Sequence, residues 1–249
     1  MKKNSLIFII AFGAVAFISS CSKDGSTGPA GPAGPSYTGA ISGHVDMYDQ
    51  YGSKVLTSLA TAQLQLNGGT AISPDATGYY YFGSIKTGDY NISASAPGYA
   101  STKTNNFQFL SDTLNRDVKL SAIPNFSPTA VASYAAIGAP GDSVIINFTA
   151  DTRVREMILF VNNNSAVGGQ PANYLVAYVR AIPANATKVG IVISASDLYD
   201  AGITSGSAIY LAAYGYVVTD GSAYEDIATG KTVYNAISAS PITVTATAP

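Results

Sequence analysis

The sequence has few of the residues that catalytic sites use, namely one cysteine, one histidine and two glutamates among 249 residues, and it has no tryptophan. A single cysteine excludes a disulfide within the chain. A zinc site or a Ser-His-Asp triad would have to include His44, which lies on the polar side of a predicted first strand. The sequence has no Gly-x-Ser-x-Gly elbow and no phosphate-cradling loop. We therefore expect a protein without enzymatic activity and without a cofactor.

Carboxylates are also sparse. A glycosidase needs two placed carboxylates, but the only glutamates are Glu156 and Glu225, and the aspartates fall mainly in turns. Three groups could offer oxygen ligands to calcium, although none has the spacing of a known calcium loop. They are Asp46 with Asp49, Asp197 with Asp200, and the acidic residues of the 220–226 loop. Turn formation and capping explain these residues about as well, so no metal site is predicted.

Charge and composition favour an all-β protein. Only 11% of residues are charged, the net charge is −2, and no basic stripe exists, which excludes nucleic acid as a partner. A hydrophobic content of 47% is enough for a core. The 24 glycines and 17 tyrosines, with many Thr, Ser, Val and Ile, favour strands and tight turns over helices.

The amino terminus has the three parts of an export signal. Lys2 and Lys3 precede an apolar run at 6–18, and small residues follow before Cys21. This run has 13 residues, whereas a membrane-spanning helix needs roughly 20. We interpret 1–20 as a cleaved signal peptide rather than as an anchor or a short buried helix.

The residues around Cys21 carry a first family resemblance. Ile18-Ser19-Ser20-Cys21 resembles the lipobox of bacterial lipoproteins, which implies cleavage before Cys21, a diacylglyceryl group on its sulfur and acylation of the new amino group. Several acyl chains, at about 0.8 kcal/mol per buried methylene, give durable membrane anchoring. The following Ser22-Lys23-Asp24 resembles the export signal of surface-exposed Bacteroidetes lipoproteins, although only one acidic residue follows Lys23. This resemblance implies an outer-membrane location that faces the cell exterior.

A collagen-like repeat follows, with glycine at every third position from 25 to 36. Glycine at this period is what a triple helix requires. Four triplets bury little surface, so we favour an extended spacer of about 3.1 Å per residue, or about 37 Å over this repeat. Residues 21–38 are therefore predicted to be the lipidated amino terminus and its spacer, and the oligomeric state stays open.

Residues 39–121 are predicted to form a first β-sandwich, because short alternating segments are separated by Gly, Asp and Pro. The run 75–92 combines an acidic turn that ends in Gly78, aromatic residues two apart, an aliphatic residue and Gly-x-Tyr-x-aliphatic. With 96–99 and 43–45 it resembles the hallmark of carboxypeptidase regulatory-like domains, which implies a transthyretin-like (prealbumin-like) sandwich and a non-catalytic stabilising, spacing or contact role. The loop 49–61 departs from the family pattern, since it is longer and lacks the usual Pro-Leu-x-Gly-Ala segment.

Residues 122–128 contain two prolines and are predicted to be a linker. Residues 129–249 then show strand patterns at ten- to twenty-residue spacing, which favours an immunoglobulin-like or fibronectin-like sandwich. The predicted strands are 143–150, 157–161, 174–179, 189–194, 209–218 and 242–247. A helical turn is expected at 196–202, with Ser196 as its cap and Gly202 as its stop.

Tyrosines supply the candidate contact surface. Tyr79 and Tyr81 alternate with the core positions of one predicted strand, and Tyr210, Tyr214 and Tyr216 alternate with those of another. Such rings stack on sugar faces or bury against a protein partner. Packing within a core or between domains is the alternative for the same pattern.

Two short motifs concern modification. Asp112-Thr113-Leu114 and Asp142-Ser143-Val144 resemble the O-glycosylation motif of exported Bacteroidetes proteins, which implies sugars on Thr113 and Ser143.

Together these patterns predict a non-catalytic, lipid-anchored envelope protein whose β-sandwiches contact other envelope proteins. The alternative is a lipoprotein that captures polysaccharide at the cell surface.

Lipidation gives a direct prediction. We expect the Cys21→Ser protein to lose its acyl chains and to move from the detergent phase to the aqueous phase, because only the Cys21 sulfur accepts the diacylglyceryl group. Detergent phase separation, followed by mass spectrometry of the amino-terminal peptide, measures both effects. A serine variant that remains in the detergent phase would contradict the lipoprotein interpretation.

Overall fold

The structure is a computed structural model that describes residues 37–110, 112–132 and 144–248. Nearly all regular structure in these ranges is β-strand, arranged in sheets around hydrophobic cores, so the predicted all-β sandwich class is confirmed. Residues 1–20, Cys21, the 25–36 repeat and Ser143 lie outside the described residues. No helix in the described part is long and apolar enough to span a membrane. The transthyretin-like and immunoglobulin-like assignments stay predictions.

The first sheet is built around strand β1, Thr38–Tyr48. It pairs antiparallel with β2, Lys54–Val55, and with β4, Tyr79–Lys86. It also pairs in parallel with β7, Thr113–Asn115, and with β8, Val118–Ser121. The predicted first strand with His44 on its polar side is confirmed, because Ile41, Val45 and Met47 are almost completely buried and His44 is exposed.

The second sheet of the first sandwich has the order β3-β5-β6, with β3 at Gln63–Leu66, β5 at Gly88–Ser95 and β6 at Thr102–Phe109. Alternate residues of each strand enter the core because side chains of a strand point to opposite faces. The larger residues of this core are Ile41, Met47, Leu64, Tyr80, Phe82, Ile92, Phe107, Phe109 and Leu120.

The second half of the chain contains two larger sheets and a separate two-stranded hairpin. One has the order β13-β10-β9, with β9 at Ala130–Ala132, β10 at Val144–Asn147 and β13 at Lys188–Ile191. Its apolar residues Val144, Ile146 and Ile191 pack in a core with Met157, Leu159, Ile209 and Leu211 of the other sheet.

The other sheet has the order β12-β11-β14-β17, with β11 at Arg155–Asn162, β12 at Val176–Ile182, β14 at Ala208–Tyr216 and β17 at Ile242–Thr247. Helix α1, Ala195–Asp200, lies between β13 and β14 in the chain. Of the predicted strands, β17 matches at both ends.

Strands β11 and β14 are buried on both faces. The face away from the core is covered by a second cluster that contains Ile158, Phe160, Tyr174, Ala212, Tyr214, Tyr216 and Val217. The hairpin of β15, Tyr224–Asp226, and β16, Lys231–Val233, belongs to the excursion between β14 and β17. Tyr174 Oη donates to the Thr232 carbonyl at 2.7 Å, which ties this hairpin to the cluster.

The predicted linker 122–128 is irregular, as its prolines indicate, but it is packed. Ala122 N donates to the Tyr48 carbonyl at 2.9 Å. The Phe126 carbonyl approaches Gly215 so closely that a Cβ there would lie 2.2 Å from the oxygen. Glycine is therefore required at this point of β14.

Two buried serines join the sandwiches. Ser222 Oγ accepts from Ser121 N at 2.8 Å and donates to the Ala100 carbonyl at 3.1 Å. Ser121 Oγ donates to the Thr219 carbonyl at 2.7 Å and accepts from Gly221 N at 2.8 Å. Both serines are almost fully buried, so each hydrogen bond replaces one to water.

The cap of helix α1 differs from the prediction. Ser194, rather than Ser196, is the N-cap, because its Oγ accepts from Asp197 N at 3.1 Å. The cap and the helix start therefore lie two residues earlier than expected, and the first helical residue is Ala195. Gly202 has a φ of +78°, which suits its predicted role after the helix end.

Asp220 forms the turn at the serine junction. Its carboxylate accepts from Tyr216 Oη at 2.9 Å and from the backbone N–H groups of Ser222 and Ala223 at 2.8 and 2.9 Å. Burial raises the pKa of Asp220 above its usual range, although these hydrogen bonds act in the opposite direction. Compared with the unfolded chain, the folded state therefore favours protonated Asp220. The contribution of Asp220 to the free energy of unfolding rises as the pH falls through its raised pKa.

We expect Asp220→Asn to raise the Tm at pH 7, because the amide keeps an oxygen acceptor without the cost of a buried charge. The difference in Tm between variant and wild type should narrow as the pH falls toward the ordinary aspartate value of 3.8. Thermal unfolding across this pH range measures it. Ser222→Ala is the control in the same turn, and should cost about 1–3 kcal/mol at every pH. A difference for Asp220→Asn that does not change with pH would contradict the account.

Candidate functional site

The exposed aromatic residues of β4 form the candidate site. Tyr79 and Tyr81 are 39% and 56% exposed, while their neighbours Tyr80 and Phe82 are 1% and 8% exposed. This contrast follows from the two-residue period of a strand whose other face covers the core. The sequence prediction for the orientation of Tyr79 and Tyr81 is therefore confirmed.

His44 on β1 extends this surface. The register of β1 and β4 places His44 opposite Tyr79 and Ser42 opposite Tyr81. The His44 and Tyr79 rings meet edge to face, with centroids 5.5 Å apart. The Tyr81 ring lies against Gly83, since a Cβ at Gly83 would be 2.7 Å from the ring edge. We call Ser42, His44, Tyr79, Tyr81 and Gly83 the tyrosine face.

Two carboxylates border the tyrosine face. Asp75 Oδ1 accepts from the Thr77 hydroxyl at 2.6 Å and from Tyr79 N at 3.0 Å. The hydrogen bond from Thr77 is the main cause that holds the pKa of Asp75 below its usual range. Asp117 Oδ1 accepts from His44 N at 2.9 Å. The aromatic rings are thus flanked by hydrogen-bond acceptors, an arrangement that suits a partner with donor groups.

Tyr80 fixes the strand beneath the face. Its ring packs against Phe82 with centroids 5.8 Å apart, and its hydroxyl donates to the Arg116 carbonyl. Burial raises the pKa of Tyr80 far above its usual value, so the phenol stays neutral and remains a donor. Because Tyr80 is held at both its ring and its hydroxyl, the outward positions on either side of it are fixed.

The structure corrects the prediction for Tyr214 and Tyr216. Their side chains are only 9% and 6% exposed, and both lie in the second cluster with Phe160. The rings of Phe160 and Tyr214 meet edge to face at 5.7 Å, and those of Tyr216 and Tyr234 at 6.0 Å. Packing within the protein, the alternative reading of the sequence, therefore holds for both residues. Tyr216 packs against Tyr234 of the 218–240 excursion, and the Tyr214 hydroxyl lies at the Val167 carbonyl. Tyr210 is half-buried on the same strand.

The aspartates that could offer oxygen ligands to calcium have structural partners. Asp46 forms an ion pair with Lys54 at 2.7 Å, and Asp49 accepts from backbone N–H groups in its own turn. Asp197 accepts from the Tyr178 hydroxyl at 2.8 Å. Among the described residues, no group of three or more His, Cys, Asp or Glu is placed to hold a metal ion. Turn and packing roles account for these carboxylates.

Thr113 is exposed at the start of β7, where its side chain is accessible from solvent. Glycosylation of Thr113 stays a prediction, and the same prediction for Ser143 concerns a residue outside the described ranges.

Sequence reasoning missed a polar groove on the outer face of the β3-β5-β6 sheet. Two adjacent cavities of about 310 and 560 Å³ share Ser93 in their linings. We call this region the amide groove and define it by Gln65, Asn67, Asn91, Ser93, Ser95 and Lys103. Its signal in the sequence is the alternation of polar residues with Tyr90, Ile92 and Ala94 along β5.

No family model matches the sequence, and no curated protein matches it. A solved structure from Bacteroides uniformis ATCC 8492, provisionally described as a carbohydrate binding protein, is 15% identical, with 84% of this chain and 99% of that chain covered and a TM-score of 0.30. A DUF3823 family protein from Parabacteroides merdae ATCC 43184 is 14% identical, with 81% and 98% covered and a TM-score of 0.28. A streptococcal ancillary pilin is 11% identical, with 84% and 58% covered and a TM-score of 0.27. Similarities at this level assign neither a family nor a ligand to this chain.

The three consecutive tyrosines of β4 give a stability prediction. Tyr80→Ala should cost about 3–5 kcal/mol of unfolding free energy, because it opens a cavity in the first core. Tyr81→Ala should cost less than about 1 kcal/mol, because its ring is exposed. Urea unfolding of the two variants measures the difference. Equal losses would contradict the assignment of Tyr80 to the core and Tyr81 to the surface.

Proposed function

We propose that this protein is a lipid-anchored, non-catalytic component of the cell envelope that contacts another envelope protein through the tyrosine face. The observation that carries the proposal is the pair Tyr79 and Tyr81, exposed side by side on a strand whose intervening residue is buried. A large aromatic ring left in solvent gains hydrophobic contact when a partner covers it.

The composition of the tyrosine face supports a protein partner. Protein interfaces combine aromatic centres with polar rims. Here Tyr79 and Tyr81 are the aromatic centre, and His44, Asp75 and Asp117 provide the polar border. Tyrosine is enriched among the residues that dominate binding energy.

Rigidity is a second support. Binding is weakened by the entropy of ordering side chains and loops at an interface. Strand β4 pairs with β1 along 38–44, and Tyr80 is fixed in the core below. A partner would therefore meet a surface that is already ordered.

The remaining parts of the proposal rest on the sequence. The lipobox at 18–21 supplies the anchor, the 25–36 repeat supplies the spacer, and 75–92 carries the resemblance to carboxypeptidase regulatory-like domains. An outer-membrane position that faces the exterior belongs to the same proposal. In this arrangement the sandwiches act as contact modules held away from the lipid surface.

The test places a photo-crosslinking phenylalanine at position 81 of the full-length protein in intact cells. We expect a discrete protein adduct from position 81. The same amino acid at position 199 is the control and should give no adduct, because Tyr199, although 80% exposed, lies on helix α1 and outside the tyrosine face. Adding Tyr79→Ala should reduce the adduct about tenfold, as expected for loss of about 1.4 kcal/mol of binding energy.

The outcome also separates the two functional hypotheses. The same adduct from positions 81 and 199, or no adduct from position 81, would contradict the proposed contact. An adduct that stains for carbohydrate and is destroyed by periodate would favour polysaccharide capture through the tyrosine face instead.

A further inference from the structure

The amide groove lies on the sheet opposite the tyrosine face and has no part in the proposed protein contact. Its floor is a row of residues across three strands, since Ser93 pairs with Gln65 of β3 on one side and with Lys103 of β6 on the other. Adjacent strands lie about 4.8 Å apart, so the side chains that carry an amide, a hydroxyl and an ammonium group start from neighbouring backbone positions across the groove.

These three side chains are available to a ligand. Among the described residues, Gln65, Ser93 and Lys103 make no side-chain hydrogen bond to another residue, although Gln65 and Ser93 are half-buried. A half-buried amide or hydroxyl needs a hydrogen-bond partner from solvent or from a bound molecule. A ligand that supplies donors and acceptors at this spacing would replace several waters at once.

One end of the groove is rigid because asparagines hold its backbone. Asn67 Oδ1 accepts from Asn91 N at 2.7 Å, and Asn91 Oδ1 accepts from Asn106 N at 2.8 Å. Asn106 has a φ of +47°, and the register of β5 and β6 shifts at this point. The hydrogen bonds fix this irregular backbone, so the groove keeps its shape without a ligand.

The charge of the lining excludes polyanions. Lys103 is the only cation and Asp89 the only anion among the residues that line the two cavities, and they cancel. A nucleic acid or phosphate site needs an excess of positive charge. The sequence pI of about 5.2 likewise gives no excess of positive charge to attract a polyanion.

The lining also excludes an apolar ligand and an added peptide strand. The apolar side chains at the two cavities are Ala71 and Ala94 alone, too little surface to hold a lipid or a hydrophobic peptide. A peptide strand would need an unpaired sheet edge. The backbone of β5 is instead paired on both sides, to β3 and to β6.

The geometry points to a neutral saccharide chain as the ligand of the amide groove. Each sugar hydroxyl both donates and accepts, and the Gln65 amide and the Ser93 hydroxyl present the same two functions, while the amides of Asn67 and Asn91 hold the backbone. From Ser95 to Asp89 the groove follows six residue steps of β5, or about 20 Å at 3.3 Å per residue, which is room for several sugar units. The saccharide chain runs along β5, and the row of Gln65, Ser93 and Lys103 binds its hydroxyls.

The test is affinity electrophoresis of the full-length, detergent-solubilised protein in gels that contain a mannan, a β-glucan, a dextran or, as the charged comparison, polygalacturonate. We expect retardation by at least one neutral polysaccharide and none by polygalacturonate. The variant Gln65→Ala with Lys103→Ala, in which both changed side chains lie on the sheet surface, should bind at least tenfold more weakly.

Two controls make the result specific. Gln65→Glu keeps the size of the side chain but removes its amide donor, and should also weaken binding without a change in Tm. Tyr79→Ala with Tyr81→Ala should bind the polysaccharide like the wild type, so this proposal and the proposed protein contact fail independently. Absence of retardation in all neutral gels, retardation by polygalacturonate alone, or loss of binding only in the tyrosine variant would overturn the proposal.

Discussion

The burial of Tyr80 is the constraint on which the candidate contact surface depends. A strand presents successive side chains to opposite faces, so fixing one residue in the core fixes the direction of both neighbours. Tyr80 is fixed twice, by its ring in the first core and by its hydroxyl on the Arg116 carbonyl. As a result, the geometry of the strand keeps the Tyr79 and Tyr81 rings in solvent.

The second half of the chain shows the opposite use of the same alternation. Strand β14 also places tyrosines on the face away from its core, but an excursion of the chain covers that face. Tyr214 and Tyr216 thus become the centre of a second apolar cluster. Through Ala100 the cluster reaches the first sandwich, and the buried serines 121 and 222 continue the contact with hydrogen bonds. Tyrosines on the strand face away from the core therefore form a surface in the first sandwich and a second apolar cluster in the other half.

Much of this fold follows from the sequence. Alternating apolar residues predict β1, β4, β10 and β17, which each cover a core with one face, and longer apolar runs predict β11 and β14, which are buried on both faces. Strand β6 was not predicted, since Thr102–Phe109 is mainly polar and only its pairing with β5 makes it a strand. The observed helix cap, Ser194, differs from the predicted Ser196, because the backbone geometry that selects the cap does not follow from the local sequence.

The candidate sites also divide into those that a single strand determines and those that depend on distant parts of the chain. Outward orientation of Tyr79 and Tyr81 is a local property of the strand, so the sequence predicted it. Burial of Tyr214 and Tyr216 depends on a distant segment, and the amide groove depends on the register of three strands. Neither can be derived from spacing along one strand.

The most direct measurement is tyrosine nitration, mapped by mass spectrometry, on the purified protein and on the protein in its native envelope. The account predicts that Tyr79 and Tyr81 react in the purified protein and are protected in the envelope. Tyr199, which is 80% exposed, should react in both states, and the buried Tyr80 in neither. Equal reaction of Tyr79 and Tyr81 in both states would contradict the claim that a partner covers the tyrosine face.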